Sequence, residues 1–444
     1  MDRRRFLQSG AAAVAAAAAG CSSTGDPLTA LFSELPGTTV TAYANAAPGG
    51  DVYIPGYMPK DAYFEGVRAF EHRRLMRAVP KDYDGSVRLL TRLGMDGDVA
   101  QALFPVYGHD VGISPDGRTG FFGNLEERSY VTFDPKSLDL IALGSPVAEG
   151  WIGGGHGVFI DGGAVLALSE RAPKVGYLGR PDRHFGRITL REPDTLKVLE
   201  SYSTHGVSPH DIRLLADGEH MAIANYGSVV PQGRDDYGIP LKIVEPSVTV
   251  INLRSGKLEA KYASRSRDME IRHLCAHDLD TIYAIQTELD TGGKDQRYFK
   301  KNGSAYEAEL TGGDFYSYLS APTVRALRGS GRLEPIGTRK LRELMRHGLS
   351  IHYEPRHDEV IATYPATHSV MVFDAPSGEV KQRIDCASIG LDYPCGIVPL
   401  KDPRYYVVAG YWKNLFVFER GSHRLMRELC HYTTFFGHSH ITAA

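Results

Sequence analysis

His109-Asp110-Val111-Gly112-Ile113-Ser114-Pro115-Asp116-Gly117 decides the fold, because the pattern returns. It returns as His156-Gly157-Val158-Phe159-Ile160-Asp161-Gly162-Gly163, as His210-Asp211-Ile212-Arg213-Leu214-Leu215-Ala216-Asp217-Gly218, and as His273-Leu274-Cys275-Ala276-His277-Asp278. Each copy is a short apolar run, closed by a turn and followed by a second apolar run. Within the first unit, strands are expected over 111–114, 119–123, 130–134 and 138–143, separated by Pro115-Asp116-Gly117 and Pro135-Lys136-Ser137. Four short antiparallel strands joined by such turns make one blade of a propeller.

The unit recurs along the chain. Matching runs lie at 157–160, 164–168, 187–190 and 196–202, then at 211–215, 220–225, 247–253 and 257–262. A partial unit begins near His273 with a second strand at 281–286. Two more occupy 351–384 and 397–429. A last unit is shared between the chain ends, with its inner strand at 440–442 and outer strands from 38–44 and 87–104. The expectation is an all-β, seven-bladed β-propeller of the YVTN/WD40 type over 38–444. It is closed by pairing of N- and C-terminal strands, which removes the free sheet edges. Excursions interrupt the pattern near 46–84, 171–186, 228–245 and 288–320, with short helices expected in 61–77 and 339–346.

The N-terminus reads differently. Arg3-Arg4-Arg5-Phe6-Leu7 precedes an alanine-rich run to Ala19, as in a twin-arginine export signal. Ala18-Ala19-Gly20-Cys21 matches a lipoprotein cleavage box with Ala18 in place of leucine. Residues 1–21 are therefore expected to direct export to the periplasm, with lipid on Cys21 as a membrane tether, and 22–37 to form a flexible leader. The 444 residues are 42% hydrophobic and carry a net charge of −3, with no basic run beyond the N-terminus, so nucleic acid is excluded as a partner. The 48 glycines and 25 prolines suit turns rather than long helices.

Aligned by their turns, the units place His109, His156, His210, His273, Ser350, Cys395 and His440 at equivalent strand starts. A residue fixed at the start of the inner strand in every blade ends on a ring around the channel. Imidazole and thiolate are ligands for copper, iron, zinc and nickel. A transition-metal ion, iron or copper, is therefore expected at His109, His156, His210, His273, Cys395 and His440. His352 is added as the residue two beyond Ser350 on the same strand face. The competing reading makes these histidines structural, pinned to neighbouring blades by Asp110 and Asp211; the two readings are compatible when one ring nitrogen faces the channel and the other is held. Arg213, on the face opposite His210, is expected to pack between blades. His205, His431 and His438 read as loop histidines. No nucleophile elbow, phosphate loop, dinucleotide fingerprint or haem-attachment motif occurs. No enzymatic activity is therefore assigned. A scaffold for protein partners and a metal- or cofactor-dependent oxidoreductase stand as alternatives to metal handling.

Several stretches carry a family resemblance: Gly155-His156-Gly157-Val158-Phe159, Ser208-Pro209-His210-Asp211-Ile212-Arg213, Ala224-Asn225-Tyr226-Gly227, Glu245-Pro246-Ser247-Val248, Ile271-Arg272-His273-Leu274 and Cys395-Gly396-Ile397. Over roughly 105–442 the chain resembles an uncharacterised family of twin-arginine-exported, seven-bladed propeller proteins carrying a domain of unknown function. Its members are encoded beside imelysin-type iron-uptake proteins and di-haem-like partners. The resemblance implies a periplasmic protein linked to iron uptake, with imelysin-like proteins as partners, and brings no catalytic residues. A monomer is expected.

Overall fold

Short runs rich in β-branched and aromatic residues, each ended by a turn that one side chain closes, build this chain. Asp134 accepts the backbone N–H groups of Lys136 and Ser137, Asn252 those of Arg254 and Ser255, and Asp374 that of Ser377. These turns lie between third and fourth strands and stop each run after four to six residues. The computed structural model describes residues 48–56, 75–83, 87–125, 128–173, 175–231, 241–289, 320–411, 413–434 and 440–444.

The described strands form five four-stranded antiparallel sheets and one of eight strands, with a two-stranded ribbon beside them. The first sheet runs Gly108–Ile113, Gly120–Asn124, Tyr130–Phe133 and Leu140–Gly144. The second runs Ile152–Ile160, Val165–Arg171, Phe185–Arg191 and Val198–Val207. Two further sheets span Ile351–Glu354 to Val380–Asp385 and Pro394–Pro399 to His431–Thr434. The eight-stranded sheet joins Pro209–Leu214, His220–Asn225, Ser247–Asn252 and Leu258–Ala263 to the four strands that begin with Met269–Ala276. The join is one parallel contact, Ala263 with Arg332. The result is an all-β, propeller-like fold with only one-turn helices among the described residues.

Burial falls from the inner strands outward, as expected for sheets stacked face to face. Gly120–Asn124 is buried throughout, whereas Leu140–Gly144 alternates between half-buried and exposed. The core lies between sheets. Val111, Phe122 and Phe133 pack on Tyr53, Leu90 and Phe104, and Ile160, Ala167 and Ile188 pack on Ile212, Met221 and Ile223.

The closing sheet differs from expectation in one strand. Thr442–Ala443 pairs with Asp51–Gly56, which pairs with Arg88–Gly94 and then Val99–Phe104. Asp51–Gly56 falls inside the expected 46–84 excursion, and 38–44 lies outside the described residues. Its strand signal was hidden by Gly49, Gly50, Pro55 and Gly56, residues that ordinarily demote a run. Residues 57–74 and 290–319 also lie outside the described residues, so most of the helix expected in 61–77 is not described. The helix expected in 339–346 is the single turn Arg339–Arg342, capped by Thr338.

Closure of the two chain ends rests on a small contact. Asp51 and Ala444 exchange two backbone hydrogen bonds of 2.9 and 3.0 Å, and Ile441 is buried against Val52, Ile54, Val407 and Val417. Ile441→Ala is expected to cost roughly 2–4 kcal/mol, and removal of residues 441–444 more, because the pairing goes too. Urea denaturation midpoints of the two variants against the parent chain check this.

Candidate metal centre

The innermost strands are irregular where the histidines sit. Pairing register slips between Gly108 and Val111, Gly153 and Gly157, Pro209 and Ile212, Ile271 and His273, and Pro394 and Ile397. A slip of this kind sets extra residues on one strand against its partner and re-aims the side chains there. His109, His156, His210 and Cys395 lie inside the slips, and His273 ends one. The strand Ile351–Glu354 pairs without a slip, and Ser350 stands at its start. Ser350 Oγ accepts the Ile397 N–H at 3.2 Å and so ties two sheets together.

Glycines make room for the rings. Gly155 has φ +108°, and a Cβ there would lie 2.9 Å from His109 Cδ2 and 3.0 Å from His210 Cε1. A Cβ at Gly123 would meet the Gly155 carbonyl oxygen at 2.3 Å. Only glycine allows this approach.

The structure brings five of the expected residues together. His109, His156, His210, His273 and His440 are all buried, and one nitrogen from each lies within 4.8 Å of the others. Nε2 of His210 is 3.3 Å from Nε2 of His109 and 3.3 Å from Nε2 of His273. The His210 tautomer follows from its other nitrogen. Nδ1 lies 2.5 Å from the Gly154 carbonyl oxygen, which can only accept, so Nδ1 carries the proton and Nε2 presents a lone pair. Burial, then the fields of His156, His109, His273 and Arg171, hold the His210 pKa well below its ordinary value, so the ring is neutral.

His156 is oriented by carboxylates. Its Nδ1 lies 3.1 Å from Asp110 Oδ2 and 3.2 Å from Asp211 Oδ1, which draws its proton to that side. These contacts are short but lack hydrogen-bond geometry, and neither His156 ring nitrogen has a hydrogen-bond partner among the described residues. A ligating imidazole commonly has one nitrogen beside a carboxylate and the other on the ion. Asp211 also accepts the Leu274 N–H at 2.9 Å, and Ser169 Oγ donates to the His210 carbonyl at 2.8 Å, fixing the neighbouring strands. Tyr226 packs 4.6 Å from the His210 ring and carries the Arg171 guanidinium on its own face at 4.4 Å.

The donor set fits a transition metal. With metal–nitrogen bonds of about 2.0–2.1 Å, two nitrogens of a tetrahedron stand about 3.3–3.4 Å apart. Both Nε2 separations at His210 match that edge. All five donors are imidazoles in a buried pocket, which suits copper, iron, zinc or nickel rather than calcium or magnesium.

Cys395 and His352 lie outside this group. The Cys395 thiol is turned to the Tyr393 carbonyl oxygen at 3.2 Å and packs with Leu349 and Tyr411. None of Cys275, Cys386, Cys395 and Cys430 forms a disulfide. His352 shares the strand face of Ser350, but two residues along a strand is about 6.6 Å, beyond one coordination sphere. It lines a cavity of about 480 Å³ that continues from the histidines in the chain direction of the innermost strands, together with Asp110, Arg213, Cys275, Ser350 and His440.

Arg213 bridges neighbouring innermost strands as expected, its Nε donating to the Leu274 carbonyl at 3.3 Å, and it also lines this cavity, because the slip between Pro209 and Ile212 reverses the alternation counted from His210. His205 and His431, expected in loops, lie in the strands Val198–Val207 and His431–Thr434, with His205 3.3 Å from the Gly256 carbonyl, and His438 lies outside the described residues. Gly153, Gly154 and the buried Arg171 were not singled out from sequence. A run of three glycines beside a histidine was the available signal.

A family model described as "Protein of unknown function (DUF1513)" matches residues 104–441. No curated protein matches. Among solved structures, Kuenenia stuttgartiensis hydrazine synthase is similar in fold, with a TM-score of 0.50 and 11% identity. The likeness covers 76% of this chain and 93% of that one.

The cavity histidine makes stability depend on pH. His352 keeps 23% of its side-chain surface on the cavity, yet the surrounding sheets remove it from bulk water. Burial, then Arg420 and Arg213, push its pKa down to about 3. In the unfolded chain the same ring takes a proton near pH 6.5. The stabilisation is therefore complete above pH 6.5 and lost as pH falls from there toward 3. Urea midpoints at pH 7.5 and 5.0 should differ, and His352→Gln should narrow the difference.

Proposed function

We propose that this chain, which belongs to the DUF1513 family, is an exported seven-bladed propeller that binds a transition-metal ion at the centre of its channel. The seven-blade count takes the eight-stranded sheet as two blades, since its halves are paired strand to strand only at Ala263 and Arg332 and otherwise pack through side chains. His109, His156, His210, His273 and His440 are the ligand pool, from which three or four nitrogens would hold one ion while the rest lie against it. The observation that carries this reading is the approach of the Nε2 atoms of His109 and His273 to that of His210 at 3.3 Å, in a pocket where His210 is held neutral.

Iron or copper is the ion we favour. The all-nitrogen donor set suits both, and the family resemblance points to iron uptake or handling with imelysin-like partners. Export rests on Arg3-Arg4-Arg5 and the alanine run, and a lipid tether to the membrane rests on Cys21. The likeness to hydrazine synthase supports the fold and adds no activity.

A second reading keeps the histidines as structural pins in a scaffold. The contacts from Asp110 and Asp211 to His156, and from Gly154 to His210, favour it, because each joins neighbouring innermost strands.

The two readings separate on the double variant His156→Ala/His210→Ala. Metal handling predicts that elemental analysis of the purified parent finds bound iron or copper, and that the variant loses at least about nine-tenths of it while a thermal melt shows it folded. Equal metal content in both proteins overturns the proposal. A variant that unfolds while its metal content per folded molecule is unchanged establishes the scaffold.

A further inference from the structure

We propose that the cavity beside the histidine group is an anion site, which takes a small carboxylate or inorganic oxyanion and takes it only once the metal is in place. The inference rests on the metal reading and adds a ligand class to it.

The cavity is chemically polarised. Arg213 reaches it with 38% of its side chain exposed. Its Nη2 lies 3.3 Å from Asp211 Oδ1 and its Nε donates to the Leu274 carbonyl at 3.3 Å. Nη1 is left without an acceptor among the described residues. His352 stands on the same wall, its Nε2 without a hydrogen-bond partner and 4.0 Å from Glu354 Oε2. That carboxylate is already neutralised by Arg420 at 3.1 Å. The remaining guanidinium nitrogen of Arg213 and Nε2 of His352, which has no hydrogen-bond partner, line one cavity and match the planar oxygens of a carboxylate or phosphate.

The same space touches the metal centre. His440 belongs to the histidine group and also lines the cavity. Asp110 lines the cavity too, and its other contact is His156 Nδ1. About 480 Å³ is enough for a small organic anion spanning from the centre to Arg213.

Charge makes occupancy conditional. Asp110 and Asp211 stand beside the histidines, and Arg213 on one side and Arg171 on the other are the cations that balance them. Without the ion the centre therefore offers an anion no net positive charge. A divalent ion among the histidines supplies that charge, and away from bulk water it decides binding.

The test uses the mature protein loaded with cobalt(II), whose visible bands report its ligand sphere, titrated separately with acetate and inorganic phosphate. Saturable change in the bands with either probe is expected, acetate identifying a carboxylate site and phosphate an oxyanion site. The metal-free protein should bind neither by calorimetry. Arg213→Gln should weaken the probe about tenfold, and His352→Leu severalfold, at unchanged cobalt content. Arg213→Lys keeps the charge that balances Asp211 but not the planar fork, and should fall between parent and Arg213→Gln. If Arg213→Gln loses cobalt, the Lys and Leu variants decide. Equal binding by metal-free and loaded protein, no response to either probe, or parent-like affinity in the variants that keep cobalt overturns the anion site alone. Failure of the parent to take up cobalt overturns the metal reading beneath it.

Discussion

Imidazole nitrogens 3.3 Å apart, each offering a lone pair, repel one another unless a proton or a cation lies between them. At His210 that relief has to come from its neighbours, through a proton on Nε2 of His109 or of His273 or through a cation between the rings. Nδ1 is committed to the Gly154 carbonyl, so the ring cannot turn its lone pair away from His109 and His273. The rings of His156 and His210 meet edge to face at 4.5 Å, and His440 stacks edge-on against His109 at 4.5 Å, so neighbours block rotation as well. Protonation is opposed by burial. The surrounding sheets impose this approach, and a bound cation would gather the same nitrogens into a coordination sphere.

Precision of that order comes from the walls. Buried ion pairs clamp the sheets at several heights. Glu170 is held by Arg191, by Thr189 and by the Val147 N–H, and Glu354 by Arg420 at 3.1 Å. Glu359 is shared by Lys381 and His423, the latter steadied by Tyr406. Each carboxylate is almost wholly buried, so loss of one partner would strand a charge in the core. These pairs lie away from the centre, and those from Glu354 to Arg420 and from Glu359 to His423 tie neighbouring sheets together.

The centre is not symmetric along the channel. On one side Tyr226 and Arg171 pack against His210. On the other lies the cavity with Arg213, His352 and the edge of His440. The two carboxylates nearest the histidines, Asp110 and Asp211, both stand beside Nδ1 of His156.

The alternation of apolar runs and turns, and the recurrence of a histidine at one phase of it, were determined by the sequence alone, because strand periodicity and turn chemistry are local properties. They were enough to read an all-β propeller-like fold and to name the five histidines that meet. Tertiary structure decided the rest. Asp51–Gly56 is a strand only because Thr442–Ala443 and Arg88–Gly94 flank it, which no local pattern of glycine and proline could reveal. Cys395 turns to a carbonyl, His352 lies too far along its strand, and Arg213 faces the cavity because register slips change the aim of a side chain. A slip is a relation between two strands, and so it is written in their pairing and not in either one.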